Sequence, residues 1–203
     1  MQSRTIDVQD FINEHTDRKL SPSQLRTLIM CFLIMAIDLI MAIDGFDTGA
    51  IGFIAPALKA EWDPTAAQLS ALLSAGLFGL MAGAFVFGPV ADRIGRRYTL
   101  MLTVLFFGTA SLISAWAGDI TQLTILRFLT GMGLGGAMPN AITLTSEFCP
   151  EKRRSFLTTL MFCGFTLGSA FGGLAAAQMV AGYGWESVLL LGGILPLALA
   201  PVL

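Results

Sequence analysis

Two carboxylates three residues apart, Asp44 and Asp47, lie inside a long apolar stretch of residues 27–58. At about 1.5 Å of rise per residue, this stretch is long enough to cross the ~30 Å hydrocarbon core of a membrane as one helix. An i, i+3 spacing brings both side chains to one face of that helix. Because two neighbouring carboxylates resist ionising together, the pair is suited to binding a proton. Acids inside membrane helices mark transport or proton pathways; the structural alternative is a pair satisfied by neighbouring helices.

An identical repeat precedes the acids. The six residues 33–38, LIMAID, recur unchanged as residues 39–44. Six residues rotate a helix by about 240° and lengthen it by about 9 Å, so Asp38 cannot share the face of Asp47. A tandem duplication and a tolerated extension of the helix are both compatible with the repeat. Gly45, between the acids, is expected to loosen the helix, as in the broken helices of transport sites.

The composition is that of an integral membrane protein. Charged residues make up 13% of the 203-residue chain, against about 25% in soluble domains. The net charge of −2 gives no indication of a nucleic-acid partner. The three cysteines, Cys31, Cys149 and Cys163, show no metal-binding spacing and are interpreted as free thiols. We predict no metal or cofactor, and no cleaved signal peptide is expected.

Six apolar stretches follow a polar N-terminal tail, residues 1–26. They predict an all-α membrane protein with six transmembrane helices, at 27–58, 65–90, 98–117, 121–148, 155–181 and 187–203. Ten of the twelve basic residues lie on one side of this arrangement, Lys59 lies on the other, and Arg127 lies within the fourth stretch. The ten are Arg4, Arg18, Lys19, Arg26, Arg93, Arg96, Arg97, Lys152, Arg153 and Arg154. The positive-inside rule therefore predicts a cytoplasmic N-terminus.

The most specific string is GPVADRIGRR, residues 88–97, which follows the second predicted helix. It resembles the loop signature between the second and third helices of the major facilitator superfamily. The resemblance implies a cytoplasmic gate, in which glycines let two helices approach and a charge network locks this half against a partner half. The implied gate residues are Gly88, Asp92, Arg93, Gly95, Arg96 and Arg97. The alternative is an ordinary basic cytoplasmic loop.

Residues 127–139, RFLTGMGLGGAMP, look like the fourth-helix motif of the same superfamily. A buried arginine stays charged, so Arg127 needs an anionic partner or a wet cavity. The candidate anionic partners of Arg127 are Asp44, Asp47 and a substrate carboxylate. Alternatively, the Arg127 side chain extends outward to the membrane–water interface. Residues 164–173 resemble an antiporter motif of the fifth helix, but Ser169 stands in place of its proline, which favours symport.

Taken together, the chain resembles the aromatic acid:proton symporters of the superfamily, through DGFDT at residues 44–48, GFIAP at 52–56 and MPNA at 138–141. The resemblance implies the N-terminal half of the fold, in the bacterial cytoplasmic membrane, moving a proton with a 4-hydroxybenzoate-like carboxylate. It also implies that Asp44 and Asp47 are essential. Besides the lipid bilayer, the implied partner is a missing C-terminal half or a second copy, because a whole transporter has twelve helices.

Three other functions were weighed. A sugar or other organic-anion porter is the nearest, although sugar porters would lack the first acid, Asp44. An inactive truncated product would keep all of these motifs. An intramembrane protease is excluded, since the only histidine, His15, lies in the tail and the two acids share one helix. We therefore predict a transporter and not an enzyme.

Overall fold

Six α-helices account for almost all of the described chain. The computed structural model describes the backbone of residues 22–148 and 151–200, and the side chains of residues 39–144, 155, 156 and 158–200. The helices are α1 (Pro22–Trp62), α2 (Ala66–Ile94), α3 (Arg96–Ser114), α4 (Ile120–Phe148), α5 (Glu151–Tyr183) and α6 (Glu186–Leu199). These residues contain no strand, so the predicted all-α class is confirmed.

In the described part of the chain, four helical segments are long and apolar enough to cross a membrane. They are Leu39–Trp62 in α1, α2, α3 and Thr158–Tyr183 in α5. The apolar helix α6 is shorter, at 14 residues. The 29-residue helix α4 is more polar, because it carries Arg127, Thr130 and Asn140 as buried side chains. Buried polar groups of this kind need partners inside the bundle, since lipid offers none.

The first helix runs without interruption for 41 residues and contains both copies of the repeat. It continues through Gly45, so the expectation that this glycine loosens the helix is wrong. Gly45 instead allows α5 to approach, since a side-chain carbon there would overlap the carbonyl oxygen of Phe165. The tail up to residue 21, Cys149, and the side chains of Cys31, Asp38 and residues 152–154 lie outside the described residues.

Glycines also set the contact between α2 and α4. A side-chain carbon at Gly83 would overlap the carbonyl oxygen of Met132, and one at Gly135 would overlap that of Leu80. Each helix therefore presents a bare backbone to the other, which is the small-residue packing of membrane helices. This close contact fixes the position of α4, which carries Arg127.

The break between α2 and α3 is a single residue, Gly95. Its φ of 93° lies in the region that favours glycine, and its N–H donates to the carbonyl oxygen of Ala91 at 3.0 Å. No atom of another residue lies within 4 Å of where a side-chain carbon at Gly88 or Gly95 would be. Within the described part of the chain Gly95 makes a turn and neither glycine packs against another helix, so a role of these glycines in letting helices approach stays a prediction.

Two apolar clusters meet at the level of the acids. One contains Ile43 of α1 and Phe107 of α3, and the other contains Phe46 of α1 and Leu189 of α6. Along α1, Asp44 directly follows Ile43 of the first cluster, and Asp47 directly follows Phe46 of the second cluster. The two carboxylates therefore lie at the boundary between the clusters, where apolar packing on both sides keeps water away.

We expect the Gly83→Ala variant to be less stable than the wild type, because the added carbon forces α2 and α4 apart. Overpacking of this kind costs about 1–3 kcal/mol. Gly88→Ala is the matched control on the same helix, since open space surrounds Gly88, and its stability should be unchanged or slightly higher. The stability of both variants is measured by unfolding the detergent-solubilised protein with sodium dodecyl sulfate. Equal losses in the two variants would contradict this account of the α2–α4 contact.

Candidate functional site

The centre of the site is a buried ion pair between Asp47 of α1 and Arg127 of α4. Arg127 Nη1 donates to Asp47 Oδ2 at 2.7 Å, and Nη2 donates to the backbone carbonyl oxygen of Asp47. Asp47 is 0% exposed and Arg127 is 7% exposed. The guanidinium thus binds both the side chain and the main chain of one residue, so the structure directs Arg127 inward, to one of its three predicted partners.

A serine that the sequence did not single out completes the surroundings of Asp47. Ser111 of α3 is buried, with its Oγ 3.2 Å from Asp47 Oδ1 and 3.3 Å from the carbonyl oxygen of Leu189 of α6. Gly192 of α6 makes room, since a side-chain carbon there would lie 3.2 Å from both Asp47 Oδ1 and Ser111 Oγ. Four helices therefore meet at Asp47.

Asp44 is buried as well, but its described hydrogen bond comes from a hydroxyl of its own helix and not from a neighbouring helix. Thr48 Oγ1, one turn along α1, donates to Asp44 Oδ1 at 3.3 Å. Thr48 itself is exposed. Asp44 thus lies just behind an exposed hydroxyl, whereas Asp47 lies among four helices and is bonded to a cation. The two acids share a region of the bundle but have different hydrogen-bond partners.

A small cavity of about 50 Å³ adjoins the ion pair. Its polar lining is Thr48 and Arg127, and its apolar lining includes Ile51, Leu73 and Leu77. This volume holds a few water molecules but is far below the ~300–1,000 Å³ of small-molecule pockets. This cavity is therefore too small by itself to enclose a small molecule.

The motif of residues 88–97 contains an ion pair between its acid and a base one helical turn further on. Arg96 Nη2 donates to Asp92 Oδ1 at 3.1 Å across the break at Gly95. The side chains are 34% and 69% exposed, so the pair contributes at most about 1 kcal/mol. Arg93 and Arg97 are exposed as well. The motif is thus a charged, exposed surface and not part of the bundle's interior.

A bundle of apolar helices around a buried ion pair is the architecture of a polytopic membrane protein with a functional polar site in its interior. The chain belongs to the Major Facilitator Superfamily, whose family model matches residues 37–203. Its relatives in that superfamily are transporters and not enzymes.

Two curated relatives and one solved structure illustrate the similarity. The chain is 52% identical over 200 residues to the 4-hydroxybenzoate transporter of Pseudomonas putida, covering 98% of this chain and 43% of that protein. It is 44% identical over 198 residues to the gallate transporter of Pseudomonas putida, covering 98% and 42%. The partially occluded, inward-open xylose transporter of E. coli matches with a TM-score of 0.74 at 18% identity, over 85% of this chain and 48% of that one, which shows the fold alone. The chain therefore spans less than half the length of these proteins.

We expect Arg127→Leu to destabilise the bundle strongly, because it leaves the Asp47 carboxylate buried without its cation. Removing one partner of a buried pair costs about 3–5 kcal/mol. The double variant Asp47→Asn/Arg127→Leu should recover most of that loss, and the detergent-unfolding titration of both gives the coupling energy. Arg96→Leu is the control for an exposed pair and should change stability by less than about 1 kcal/mol. A loss for Arg127→Leu no larger than for Arg96→Leu would show that the buried pair does not stabilise the fold.

Proposed function

We propose that this chain is the N-terminal half of a proton-coupled symporter of aromatic carboxylates in the bacterial cytoplasmic membrane. The observation that carries the proposal is the buried pair Asp44 and Asp47 beside Arg127, in a chain that is 52% and 44% identical to transporters named for 4-hydroxybenzoate and gallate. Both of those compounds are aromatic carboxylates. We propose the class of substrate and not one member of it.

The charges of the site support coupling to protons. With both acids ionised, Asp44, Asp47 and Arg127 carry a formal net charge of −1, and one bound proton makes the site neutral. A carboxylate substrate is repelled by the first state and not by the second, since like charges in an apolar interior interact strongly. A proton bound by the pair of acids therefore favours binding of the substrate anion. Release of the proton in turn favours release of the anion.

The lining of the cavity fits an amphipathic anion. The lining combines the polar side chain of Thr48 and the charged side chain of Arg127 with leucine and isoleucine side chains that provide an apolar wall. An aromatic carboxylate has the same two parts, a charged end and an apolar ring. The alternative substrate is a sugar or an organic anion of another class. A sugar would need more polar groups along that wall.

The orientation and the gate belong to the same proposal. The distribution of basic residues supports a cytoplasmic location of the N-terminus and of the motif of residues 88–97. There, the side chains of Asp92, Arg93 and Arg97 are exposed, and we propose that this charged surface faces a partner half. We propose that they bind it when the cytoplasmic side is closed.

We expect Asp44→Asn and Asp47→Asn each to abolish accumulation of the substrate, because each removes an acid of the proton-binding pair. The test joins residues 1–203 to the remaining C-terminal part of the Pseudomonas putida 4-hydroxybenzoate transporter, in vesicles with an inward proton gradient. Uptake of labelled 4-hydroxybenzoate, with and without a protonophore, is the measurement. Asp63→Asn is the control, since Asp63 lies between α1 and α2 and asparagine tolerates its φ of 42°.

Gradient-driven accumulation that persists in both acid variants would refute the proton-binding role. Accumulation of xylose, but not of 4-hydroxybenzoate or gallate, would refute the substrate class while leaving the coupling intact. No accumulation of any of these compounds by the unaltered joined protein would favour the alternative of an inactive product.

We expect residues 1–203 alone not to transport. Only 22% of the apolar membrane-spanning stretch of α2 and 17% of that of α5 are buried, against 56% of that of α1. The bundle therefore leaves α2 and α5 largely uncovered on its outside. The cavity between Thr48 and Arg127 is then closed by nothing but lipid or a second copy. Purified chain in vesicles with a proton gradient tests this. Saturable, protonophore-sensitive uptake of 4-hydroxybenzoate would overturn it and indicate a working homodimer.

A further inference from the structure

Ser111 lies between two hydrogen-bond acceptors on different helices. Its Oγ is 3.2 Å from Asp47 Oδ1 of α1 and 3.3 Å from the Leu189 carbonyl oxygen of α6. A serine hydroxyl has one hydrogen to donate and two lone pairs with which to accept. Ser111 can therefore donate to only one of these acceptors at a time.

The protonation state of Asp47 decides which acceptor that is. An ionised carboxylate only accepts hydrogen bonds, and a hydrogen bond to a charged acceptor is stronger than one to a neutral carbonyl. Ser111 then donates to Asp47. When Asp47 carries a proton on Oδ1, the acid donates to Ser111 Oγ, and the serine hydrogen turns to the Leu189 carbonyl. Both states are fully hydrogen-bonded, so the change costs no buried unsatisfied group.

We propose that Ser111 is a positioning residue for proton coupling, whose single hydroxyl hydrogen follows the charge of Asp47 and thereby links α3 to α1 when Asp47 is ionised and to both α1 and α6 when it is protonated. The proposal rests on the proposed function, because it assigns how the acid pair is connected to the rest of the bundle. It adds a residue that acts through Asp47 without touching the substrate.

Few charged groups face Asp47 among the described residues, so the effect of Ser111 on the protonation of Asp47 can be measured separately. Among the described residues, the charged or titratable ones beside it are Asp44 on α1 and Arg127 on α4. Helices α3 and α6 provide Ser111, the Leu189 carbonyl and Gly192, and α5 approaches α1 with Phe165 and Gly168. An Asp44→Asn background therefore leaves one titrating acid beside one fixed cation.

The experiment measures protonation of Asp47 directly in the purified 203-residue chain carrying Asp44→Asn. Infrared spectroscopy follows the carbonyl stretch of a protonated carboxylic acid against pH, and the Asp47→Asn variant identifies the band. Ser111→Ala removes a donor to the ionised form and should raise the proton affinity of the acid by up to about tenfold. Ser111→Thr keeps the hydroxyl and should restore the midpoint of this titration.

Ser114→Ala is the matched control. Ser114 is buried on the same helix, but its hydroxyl donates at 2.8 Å to the Ala110 carbonyl oxygen of its own helix, so its loss should leave the midpoint unchanged. An unchanged midpoint in Ser111→Ala, or an equal change in Ser114→Ala, would overturn the proposal. Because the spectrum needs no substrate, the result stands whether or not the joined protein transports an aromatic acid. In that joined protein, the pH of half-maximal uptake should move in the same direction.

Discussion

The buried pair of Asp47 and Arg127 is the interaction on which the arrangement of the bundle depends. Neither charge can be left alone in an apolar interior without a penalty of several kcal/mol, and lipid offers no hydrogen bond to either. The guanidinium must therefore reach α1, and it binds the carboxylate and the main-chain carbonyl of the same residue. This contact fixes α1 and α4 relative to each other.

The glycines make that contact possible. An arginine side chain spans a limited distance, so α4 has to be held by a neighbour at a fixed depth. Gly83 and Gly135 let the backbones of α2 and α4 meet, and Gly45 does the same for α1 and α5. Close packing in membranes takes the place that hydrophobic burial has in water. The polar site and the glycine contacts are thus two parts of one constraint.

Much of this could be predicted from the sequence, because charges inside apolar stretches are conspicuous. The helices, the acid pair and Arg127 all follow from that contrast. The partner of Arg127 could not be chosen among three candidates, since it depends on how α1 and α4 are rotated against each other. The role of Gly45 was misjudged, because a glycine that loosens a helix and one that admits a neighbour look the same in a sequence.

Ser111 shows a second limit. Hydroxyl residues in membrane helices commonly bond to a carbonyl one turn back on their own helix, as Ser114 and Thr130 do. Sequence alone gives no reason to treat Ser111 differently from them. Its bonds to Asp47 and Leu189 arise only because α3 lies against both α1 and α6, with Gly192 leaving the space between them.

The spacing of the two acids explains why they have different partners. Three residues on a helix correspond to about 300° of rotation, so Asp44 and Asp47 point about 60° apart and about 4.5 Å apart along the axis. They are near enough for one charge to affect the other, yet each faces a different neighbour. Asp47 meets Arg127 and Ser111, while Asp44 meets Thr48, which is exposed on the open side. The i, i+3 pair therefore lets one acid be held by the bundle while the other lies next to the open side.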